Sequence, residues 1–470
     1  MTATGTAPRP RLDLRQGTQR TFAHVVASAL VVSVVNFTLW FAVTFWVYLE
    51  TRSVLATGLI AGIFLVATAS TGIWFGSIVD HHRKQGVLQL SAAASFVLYA
   101  ASLAIYLVVP DATFRDPSSP VLWTFVVVLM LGVIAGNLRS IALPTMVTLL
   151  VPEPLRDRAN GLVGTASGVS FLVTSVISGL LVAYDGMRSV LLLALVVLVV
   201  SFVHVARLDV PEQVVVRVKG EEGAGVDLRG TLRIVRGVPG LTALIVFSCF
   251  NNFLGGTFMA LMDAYGLSLV SVQAWGLLWG VLSAGVIVGG LMVARTGVGA
   301  NPVRTLLLVN LVLWTVSIAF PLRSSILLLA VSMMVFMLVM PYAEAAEQTV
   351  LQRVVPFERQ GRVFGFAQSV EQAASPLTAF LIAPLTQLVV IPTMTDGAGA
   401  RLIGSWFGTG ADRGIALVFV LAGLVGLVVT VAALCSRPYR RLSAAYAGSA
   451  VVPEHDTEER EAREAVRTTA

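Results

Sequence analysis

Twelve long apolar runs constrain the fold of this 470-residue chain more than any other feature. Each run has about 17 to 29 residues, enough to cross roughly 30 Å of hydrocarbon as a helix. Inside a bilayer the backbone must satisfy its own hydrogen bonds, which a helix does within one segment. The runs cover residues 26–49, 55–79, 87–109, 121–148, 162–184, 189–206, 241–267, 273–294, 305–321, 325–349, 363–391 and 413–435. They predict an all-α polytopic membrane protein with twelve transmembrane helices.

The composition excludes a water-soluble protein. Apolar side chains make up 56% of the chain and charged ones 12%, whereas a soluble domain typically carries about 25% charged residues. The formal net charge of +6 would suggest a nucleic-acid partner in a soluble chain. Here the basic residues lie between apolar runs, where membrane topology accounts for them. The predicted partner is therefore the lipid bilayer, with no nucleic acid.

The distribution of basic residues predicts the orientation. Most of the 32 Lys and Arg residues fall in the two terminal segments and in alternate loops on the same side of the runs. Loops rich in Lys and Arg stay on the cytoplasmic side. We therefore predict a multi-pass protein of the cell membrane with both termini in the cytoplasm.

The longest internal polar stretch, residues 207–240, divides the runs six and six. The predicted parts are an N-terminal cytoplasmic tail (1–22), a six-helix half (23–206), a cytoplasmic central loop (207–240), a second six-helix half (241–436) and a charged cytoplasmic tail (437–470). In the central loop, Leu228, Leu232 and Val235 fall at helical spacing among arginines. This pattern predicts a short amphipathic helix on the membrane surface.

An internal repeat relates the two halves. Residues 151–161 follow the fourth run and residues 355–365 follow the tenth, and at one constant offset they share Val, Pro, Arg and Gly. The shared arginines are Arg158 and Arg362. Two halves in the same orientation are typical of parallel repeats about an axis normal to the membrane.

The loop after the second run carries a recognisable motif. Gly76 is followed at four residues by Asp80, and then by His81, His82, Arg83 and Lys84. This stretch resembles the major facilitator superfamily signature Gly-x-x-x-Asp-Arg-x-x-Arg-Arg/Lys, with His81 in place of the usual arginine. Further matches lie at residues 156–161, 227–230 and 352–363. Together they resemble the drug/proton antiporter branch, which includes macrolide and multidrug exporters, over about residues 20 to 440.

The resemblance implies a gate on the cytoplasmic side. Asp80 is expected to meet the positive N-terminus of span eleven, near residues 361–365, and so to latch the two halves together. Arg83 or Lys84 would bind nearby carbonyls or carboxylates. The predicted gate motif comprises Gly76, Asp80, Arg83, Lys84, Arg158 and Arg362. The corresponding loop of the second half has Ala294 in place of the aspartate, so no symmetric second latch is predicted.

Ionisable residues inside the apolar runs are candidates for function, because burying a charge in a bilayer is costly. Arg139 is the only basic residue well inside a run, and Glu344, Glu347 and Glu371 are the central acids. The repeat sets Arg139 beside the position equivalent to Glu344, so we predict that they pair across a cavity. Desolvation favours the protonated carboxyl, and the predicted proton carriers are, in order, Glu344, Glu371 and Glu347. Pairing of Glu347 with Arg353 or Arg362 is the alternative.

Other residues are candidates for the substrate cavity. Span ten carries methionines at steps of three and four residues in line with its glutamates, and polarizable methionines suit an adaptable pocket. Amides at mid-depth would contact substrate or join helices, and ordinary packing is the alternative for the methionines. The candidates are Asn36, Trp40, Asn251, Asn252, Met333, Met337 and Met340.

The predicted function is secondary active transport, most specifically proton-coupled efflux of small amphipathic compounds by alternating access of the two halves. The sequence contains no Gly-x-x-x-x-Gly-Lys-Ser/Thr phosphate loop, so coupling comes from an ion gradient or is absent. No cofactor and no metal are predicted, since neighbouring His81 and His82 point apart on a helix. A monomer is expected to function. The alternatives are an importer of the same fold, a non-transporting receptor and an intramembrane enzyme.

Overall fold

The computed structural model describes residues 12–51, 54–211 and 228–448, and every regular element in them is a helix. The predicted all-α fold is confirmed. The first set of helices comprises α1 (Gly17–Thr51), α2 (Val54–His81), α3 (Lys84–Val108), the short α4 (Asp111–Phe114), α5 (Pro120–Leu150) and α6 (Arg156–Ala206). After α7 (Leu228–Gly237), the second set comprises α8 (Leu241–Leu269), α9 (Val272–Thr296), α10 (Pro302–Ala319), α11 (Ile326–Val354), α12 (Gln360–Leu385), α13 (Ile391–Thr395), α14 (Ala398–Phe407) and α15 (Ala411–Cys435), and α16 (Arg437–Gly448) follows.

The helices account for the twelve predicted spans. Within the described residues, ten helices are long and apolar enough to cross a membrane. The second predicted span lies in α2, and the fifth and sixth both lie in α6. Non-helical backbone at Asp185 and Gly186 divides α6 between those two spans. Gly186 has φ of 57°, a left-handed conformation that favours glycine.

Polar residues between the apolar runs set the helix starts. Ser119, Ser271, Asn301 and Ser325 precede α5, α9, α10 and α11, and each side-chain oxygen accepts a hydrogen bond from the backbone N–H three residues later. Such caps satisfy donors that lack a partner within the helix. Short capped links between long apolar helices make successive helices antiparallel.

The two sets meet at one end of the molecule. We call the face at which α1 begins and α15 ends the terminal face. There, one apolar core contains residues from both sets, among them Val79 and Val363. Toward the opposite face each set has a core of its own, around Tyr99 in the first and Tyr265 in the second. The sets are therefore packed together at the terminal face and separate toward the opposite face.

Two helix pairs form most of the junction between the sets, α2 with α12 and α6 with α9, and α5 and α6 also contact α11. These pairs join the second and eleventh spans and the fifth and eighth. The repeat places the two pairs at equivalent positions. They frame the candidate site described below.

Two short amphipathic helices lie on the terminal face. α7 lies where the sequence predicts such a helix and packs on α8 and α12, with Val235 buried and Leu228 exposed. α16 occupies the start of the predicted charged tail, and Leu442, 2% exposed, anchors it. The remainder of that tail (449–470), residues 1–11 and residues 212–227 lie outside the described residues.

Candidate functional site

Asp80, at the end of α2, binds the first turn of α12. Its Oδ1 accepts a hydrogen bond from Gly361 N at 2.6 Å and its Oδ2 accepts one from Arg362 N at 2.9 Å. The Arg362 guanidinium lies 3.8 Å from the same carboxylate. Free N–H groups and the helix dipole make a helix N-terminus a binding site for anions. Asp80 is only 6% exposed, so its buried charge is stabilised by these donors.

The residues around Asp80 partly follow the predicted motif. His81 Nε2 lies 2.9 Å from Arg362 Nη2, so the histidine that replaces the usual arginine also contacts the second set. Lys84 is buried and donates a hydrogen bond to Val79 O at 2.6 Å. Arg83 is exposed. The structure thus brings Lys84, rather than Arg83, to the carbonyls at the end of α2.

Backbones approach closely where α2 crosses α12. A Cβ atom on Gly76 would collide with the Gly361 carbonyl, and one on Gly365 would collide with the Gly72 carbonyl. Only glycine permits this distance, as at other small-residue crossings of membrane helices. The glycines therefore bring the Asp80 carboxylate within reach of the α12 N-terminus.

A second latch lies between α6 and α9, where the sequence predicts none. Asp157 Oδ2 accepts a hydrogen bond from Val298 N at 2.9 Å, and Asp157 Oδ1 accepts one from Arg158 N at 2.7 Å. Gly297, with φ of 71°, lies against this carboxylate, and a Cβ there would collide with it. This latch is not the symmetric counterpart of the Asp80 latch, because its carboxylate belongs to the first turn of α6 and not to the end of α9, where Ala294 stands.

A buried polar cluster links the sets between the two latches. Asn160 on α6 and Gln352 on α11 exchange hydrogen bonds between their amides, at 3.0 and 3.1 Å. Asn160 Nδ2 also donates to Thr349 Oγ1 at 3.1 Å, and Gln352 Nε2 donates to Pro144 O at 3.2 Å. In the sequence, these residues stand out only as parts of matched motifs. Polar side chains next to apolar runs were the signal available.

An ion pair completes the junction. Arg353 Nε lies 2.8 Å from Glu153 Oε1, which joins α11 to the turn before α6. The Tyr446 ring of α16 lies 4.2 Å from the Arg353 guanidinium carbon. Arg353 and Arg362 are therefore occupied elsewhere, and neither is the partner of Glu347 that the alternative interpretation required.

The three central acids form a cluster among α8, α11 and α12. Ser248 Oγ donates to Glu347 Oε1 at 2.5 Å, and the Glu347 and Glu371 carboxyl groups lie close enough to interact. Glu371 Oε1 is buried and has no hydrogen-bond partner among the described residues. Glu344 is close enough to Glu347 for their charges to interact. Neighbouring carboxyl groups disfavour each other's ionised form, because like charges repel.

Glu344 is exposed and faces the space between the sets. Glu344 lies three residues before Glu347, whose side chain contacts α8. It lies eight residues before Gln352, whose side chain contacts the first set. At 100° per residue, Glu344 lies on the face of α11 between these two directions. Beneath this space, Gln368 on α12 donates to Ser140 on α5 at 3.2 Å. This pair bridges the two sets.

The predicted pairing of Arg139 with Glu344 is wrong in this structure. Arg139 is 3% exposed, and its guanidinium donates to Ser28 Oγ at 3.2 Å and to Leu88 O at 3.3 Å, all within the first set. No ion pair joins it to a described carboxylate. The repeat explains the error, since Ser140 is the true equivalent of Glu344. A step of one residue rotates a side chain by about 100° around a helix.

Two of the predicted cavity amides join helices, and the third bonds within its own helix. Asn36 Oδ1 accepts from Tyr99 OH at 2.9 Å and is 9% exposed. Asn251 Oδ1 accepts from Trp314 Nε1 at 2.9 Å, and Asn252 Nδ2 donates to Ser248 O at 3.0 Å. Asn36 is therefore a packing residue of the first set. Asn251 and Asn252 stabilise α8 beside the carboxyl cluster.

The methionine stripe divides between packing and cavity. Met333 is 5% exposed within the second-set core, and Met337 packs against Gly285 of α9. Ordinary helix packing, the alternative interpretation, accounts for both. Met340 and Trp40 are half-buried, and Trp40 Nε1 has no hydrogen-bond partner among the described residues. These two remain candidates for the cavity wall.

In the described part of the chain, no three His, Cys, Asp or Glu residues are grouped so that they could hold a metal ion. The histidine pair is occupied otherwise. His81 Nδ1 lies 2.8 Å from Ser77 O, and His82 Nδ1 lies 3.0 Å from Ile78 O. Each ring is thus turned back toward its own helix.

Comparison with known proteins gives one family and several structural relatives. The model of the Major Facilitator Superfamily matches residues 25–379. Macrolide efflux protein A of Streptococcus pyogenes is 21% identical over 382 residues, which are 77% of this chain and 88% of that protein.

Solved transporter structures share the fold. The human organic anion transporter MFSD10 superposes with a TM-score of 0.66 at 14% identity, over 87% of this chain and 100% of that one. A bacterial homologue of the iron transporter ferroportin, in an outward-facing state, gives 0.63 at 15% identity, over 89% of this chain and 100% of that one. The proton:xylose symporter XylE gives 0.62 at 14% identity, over 92% and 100% of the two chains. At these identities the likeness concerns the fold alone.

Proposed function

Because the chain belongs to the major facilitator superfamily, we propose that it exports small amphipathic compounds across the cell membrane in exchange for protons. The chain is a multi-pass membrane protein and a transporter, not an enzyme. Its partners are therefore the bilayer and a small-molecule substrate. The coupling ion, the direction and the class of substrate belong to the proposal.

The observation that carries the proposal is the carboxyl cluster facing the space between the sets. Among the described residues, Glu344, Glu347 and Glu371 form no ion pair with a basic residue. Such a site has two ways to lose its excess negative charge, by taking up a proton or by binding a cation. Competition between the two for the same carboxyls is the chemistry of an antiporter.

The roles within the cluster follow from exposure. Glu347 and Glu371 are half-buried and adjacent. Two ionised carboxyls so close repel each other, so this pair holds the proton. Glu344 is exposed in the cavity, where it meets a cationic group of the substrate. The positive charge of a substrate bound at Glu344 would favour the ionised form of the neighbouring Glu347, which would then release its proton. The apolar surfaces of Met340 and Trp40 suit the remainder of an amphipathic molecule.

Orientation and direction rest on separate grounds. The excess of basic residues supports a cytoplasmic terminal face, and in that orientation the latched state is closed to the cytoplasm and open outward. In that state, protons from outside reach the cluster and substrate leaves. The similarity to Macrolide efflux protein A supports export and a bulky substrate. A single copy contains both sets and the whole cavity, which supports a functional monomer.

Inverted membrane vesicles that carry the protein test this function, with fluorescent amphipathic cations as probes. We expect accumulation that requires a proton gradient and stops when the gradient is dissipated. Glu347→Gln and Glu371→Gln should abolish accumulation but retain exchange of substrate down its own gradient. Glu344→Gln should weaken the binding of cations at least tenfold, since it removes a charge-assisted contact.

Glu358→Gln provides the control, because Glu358 is exposed on the terminal face. It should leave accumulation unchanged. Proton-dependent accumulation that survives all three cluster substitutions would show that the proton carrier lies elsewhere. Uptake that is indifferent to the proton gradient in the unmodified protein would refute coupling altogether.

A further inference from the structure

Two short helices on the terminal face share an unusual charge pattern. α7 contains Arg229, Arg233 and Arg236, and α16 contains Arg437, Arg440 and Arg441, and neither helix contains an acid. All six side chains are exposed. Among the described residues, no carboxylate forms an ion pair with any of them.

The two helices are held together at the start of α8. Thr242 Oγ1 donates to Val235 O of α7 at 3.2 Å. Gly240, with φ of 86°, lies against Leu442 and the Pro438 carbonyl of α16, and a Cβ there would collide with both. The buried Val235 and Leu442 belong to the core of the terminal face. Both helices therefore present their basic sides as parts of one fixed surface.

We propose that these six arginines form a single basic surface that binds the anionic headgroups of phospholipids. The surface lies where the helices of a membrane-spanning chain end, which is the level of the headgroups. Amphipathic helices with basic polar faces lie in that plane. Guanidinium groups bind phosphate oxygens through two parallel hydrogen bonds. Each arginine near an anionic membrane strengthens binding by about fivefold.

The chain itself offers a rival occupant. Residues 449–470, which follow α16, contain six acids and three arginines. Their excess of three negative charges would neutralise only half of the positive charge on the six arginines. Headgroups, by contrast, are continuous around the protein and supply as many phosphates as the surface can hold. The charge balance therefore favours lipid.

The test uses the full chain in detergent micelles, titrated with phosphatidylglycerol or with phosphatidylcholine, and counts bound lipids by native mass spectrometry. We expect phosphatidylglycerol to bind at least tenfold more tightly. The preference should fall when salt rises from about 0.05 to 0.5 M, because salt screens exposed charges. Arg437→Gln, Arg440→Gln and Arg441→Gln together should remove most of the preference.

Matched variants isolate the surface. Gln at Arg188, Arg323 and Arg401, which are exposed on the opposite face, should leave the preference intact. Lys at the three α16 positions should keep most of it. If the triple Gln variant does not fold, Arg440→Gln with Arg441→Gln gives a smaller version of the same test.

Three results would overturn the proposal. One is equal affinity for the two lipids. A second is an equal loss of preference in the opposite-face control. The third is a preference that appears only after residues 449–470 are deleted, since that would make the acidic tail the occupant of the surface.

Discussion

The α2–α12 and α6–α9 interfaces lie at equivalent places in the two repeats. They differ in whether the carboxylate lies at the end of one helix or at the start of the other. In the first, the end of α2 provides the carboxylate of Asp80 and the start of α12 provides the N–H groups. In the second, the start of α6 provides the carboxylate of Asp157, and Val298, two residues after the end of α9, provides the N–H. Both pack through glycines. Equivalent interfaces can thus keep the same type of bond while the charged residue changes helices.

The largest expected difference concerns the two carboxylates. Asp80→Asn should weaken closure of the terminal face by about 3 kcal/mol, because Asp80 is buried and binds two N–H groups and a guanidinium. Asp157→Asn should cost about 1 kcal/mol, because Asp157 is half-buried and makes one bond to the other set. Modification of Ser140→Cys by an impermeant thiol reagent from the terminal side, in a background without Cys249 and Cys435, measures both.

The expected increases in modification rate are about 100-fold for Asp80→Asn and about fivefold for Asp157→Asn. Asp111→Asn, an exposed position on the opposite face, should have no effect. Equal increases for the two latch variants would show that burial does not decide their strength.

The next largest effect is expected from changes at the packed glycines. Here the α2–α12 and α6–α9 interfaces should lose similar amounts of stability. A Cβ on Gly76 would meet the Gly361 carbonyl, and a Cβ on Gly290 would meet Thr165 N. Gly76→Ala and Gly290→Ala should each weaken closure by about 2 kcal/mol, since backbone cannot move aside as a flexible side chain can. The same thiol assay reports the change.

Gly276→Ala is the control for these glycines, because it lies on α9 with no atom near its Cβ position. It should leave closure unchanged and add helix propensity. A tolerated Gly76→Ala, with rates like those of Gly276→Ala, would mean that the α2–α12 contact is looser than described.

A smaller effect is expected from the amide pair between the latches. Asn160→Ala and Gln352→Ala should show a coupling energy of about 1 kcal/mol, because removal of one amide leaves its buried partner unsatisfied. The measurement is a double-mutant cycle on the thiol reaction. The same cycle is then repeated in the Asp157→Asn background. If the coupling energy between the two amides changes there, the amides act together with the second latch. Strictly additive losses would contradict the observed reciprocal bonds.

The smallest effect is the coupling between Arg139 and Glu344. Arg139→Gln and Glu344→Gln should be additive within about 0.5 kcal/mol, because the two side chains do not touch. Thermal unfolding of the single and double variants in detergent gives the cycle. A coupling above 1 kcal/mol in this assay would restore the charge pair that the sequence suggested and would place both residues in one cavity.

Much of the fold follows from the sequence because bilayer thickness fixes the length of a spanning helix. The break at Asp185 and Gly186 falls between two predicted spans for the same reason. The motif residues Asp80 and Arg362 also meet as predicted. These inferences depend only on length, local spacing or a recurrent motif, all of which a single sequence displays.

The errors concern which way a side chain points. The charge of Arg139 made it a candidate, whereas its neighbour Ser140 is the residue that contacts the second set. A linear pattern cannot distinguish the faces of a helix that is apolar on all sides. The prediction that Met333 lines the substrate cavity is wrong for the same reason. Asp157 was overlooked because its partner is a backbone N–H, which leaves no trace in the residue types. The packing of α16 depends on Gly240, which is far from it in the sequence. It also depends on Tyr446, which lies within an otherwise polar tail.

The apolar core shared by both sets at the terminal face has a thermal consequence. Opening that face exposes apolar surface to water and raises the heat capacity, while closing the opposite face buries other surface and lowers it. The equilibrium between the two states should therefore follow a curved van't Hoff plot, and the sign of its curvature reveals which closed face buries more apolar area. Apolar attraction weakens on cooling. If the shared core is the larger of the two, cold membranes will shift the protein away from the latched state.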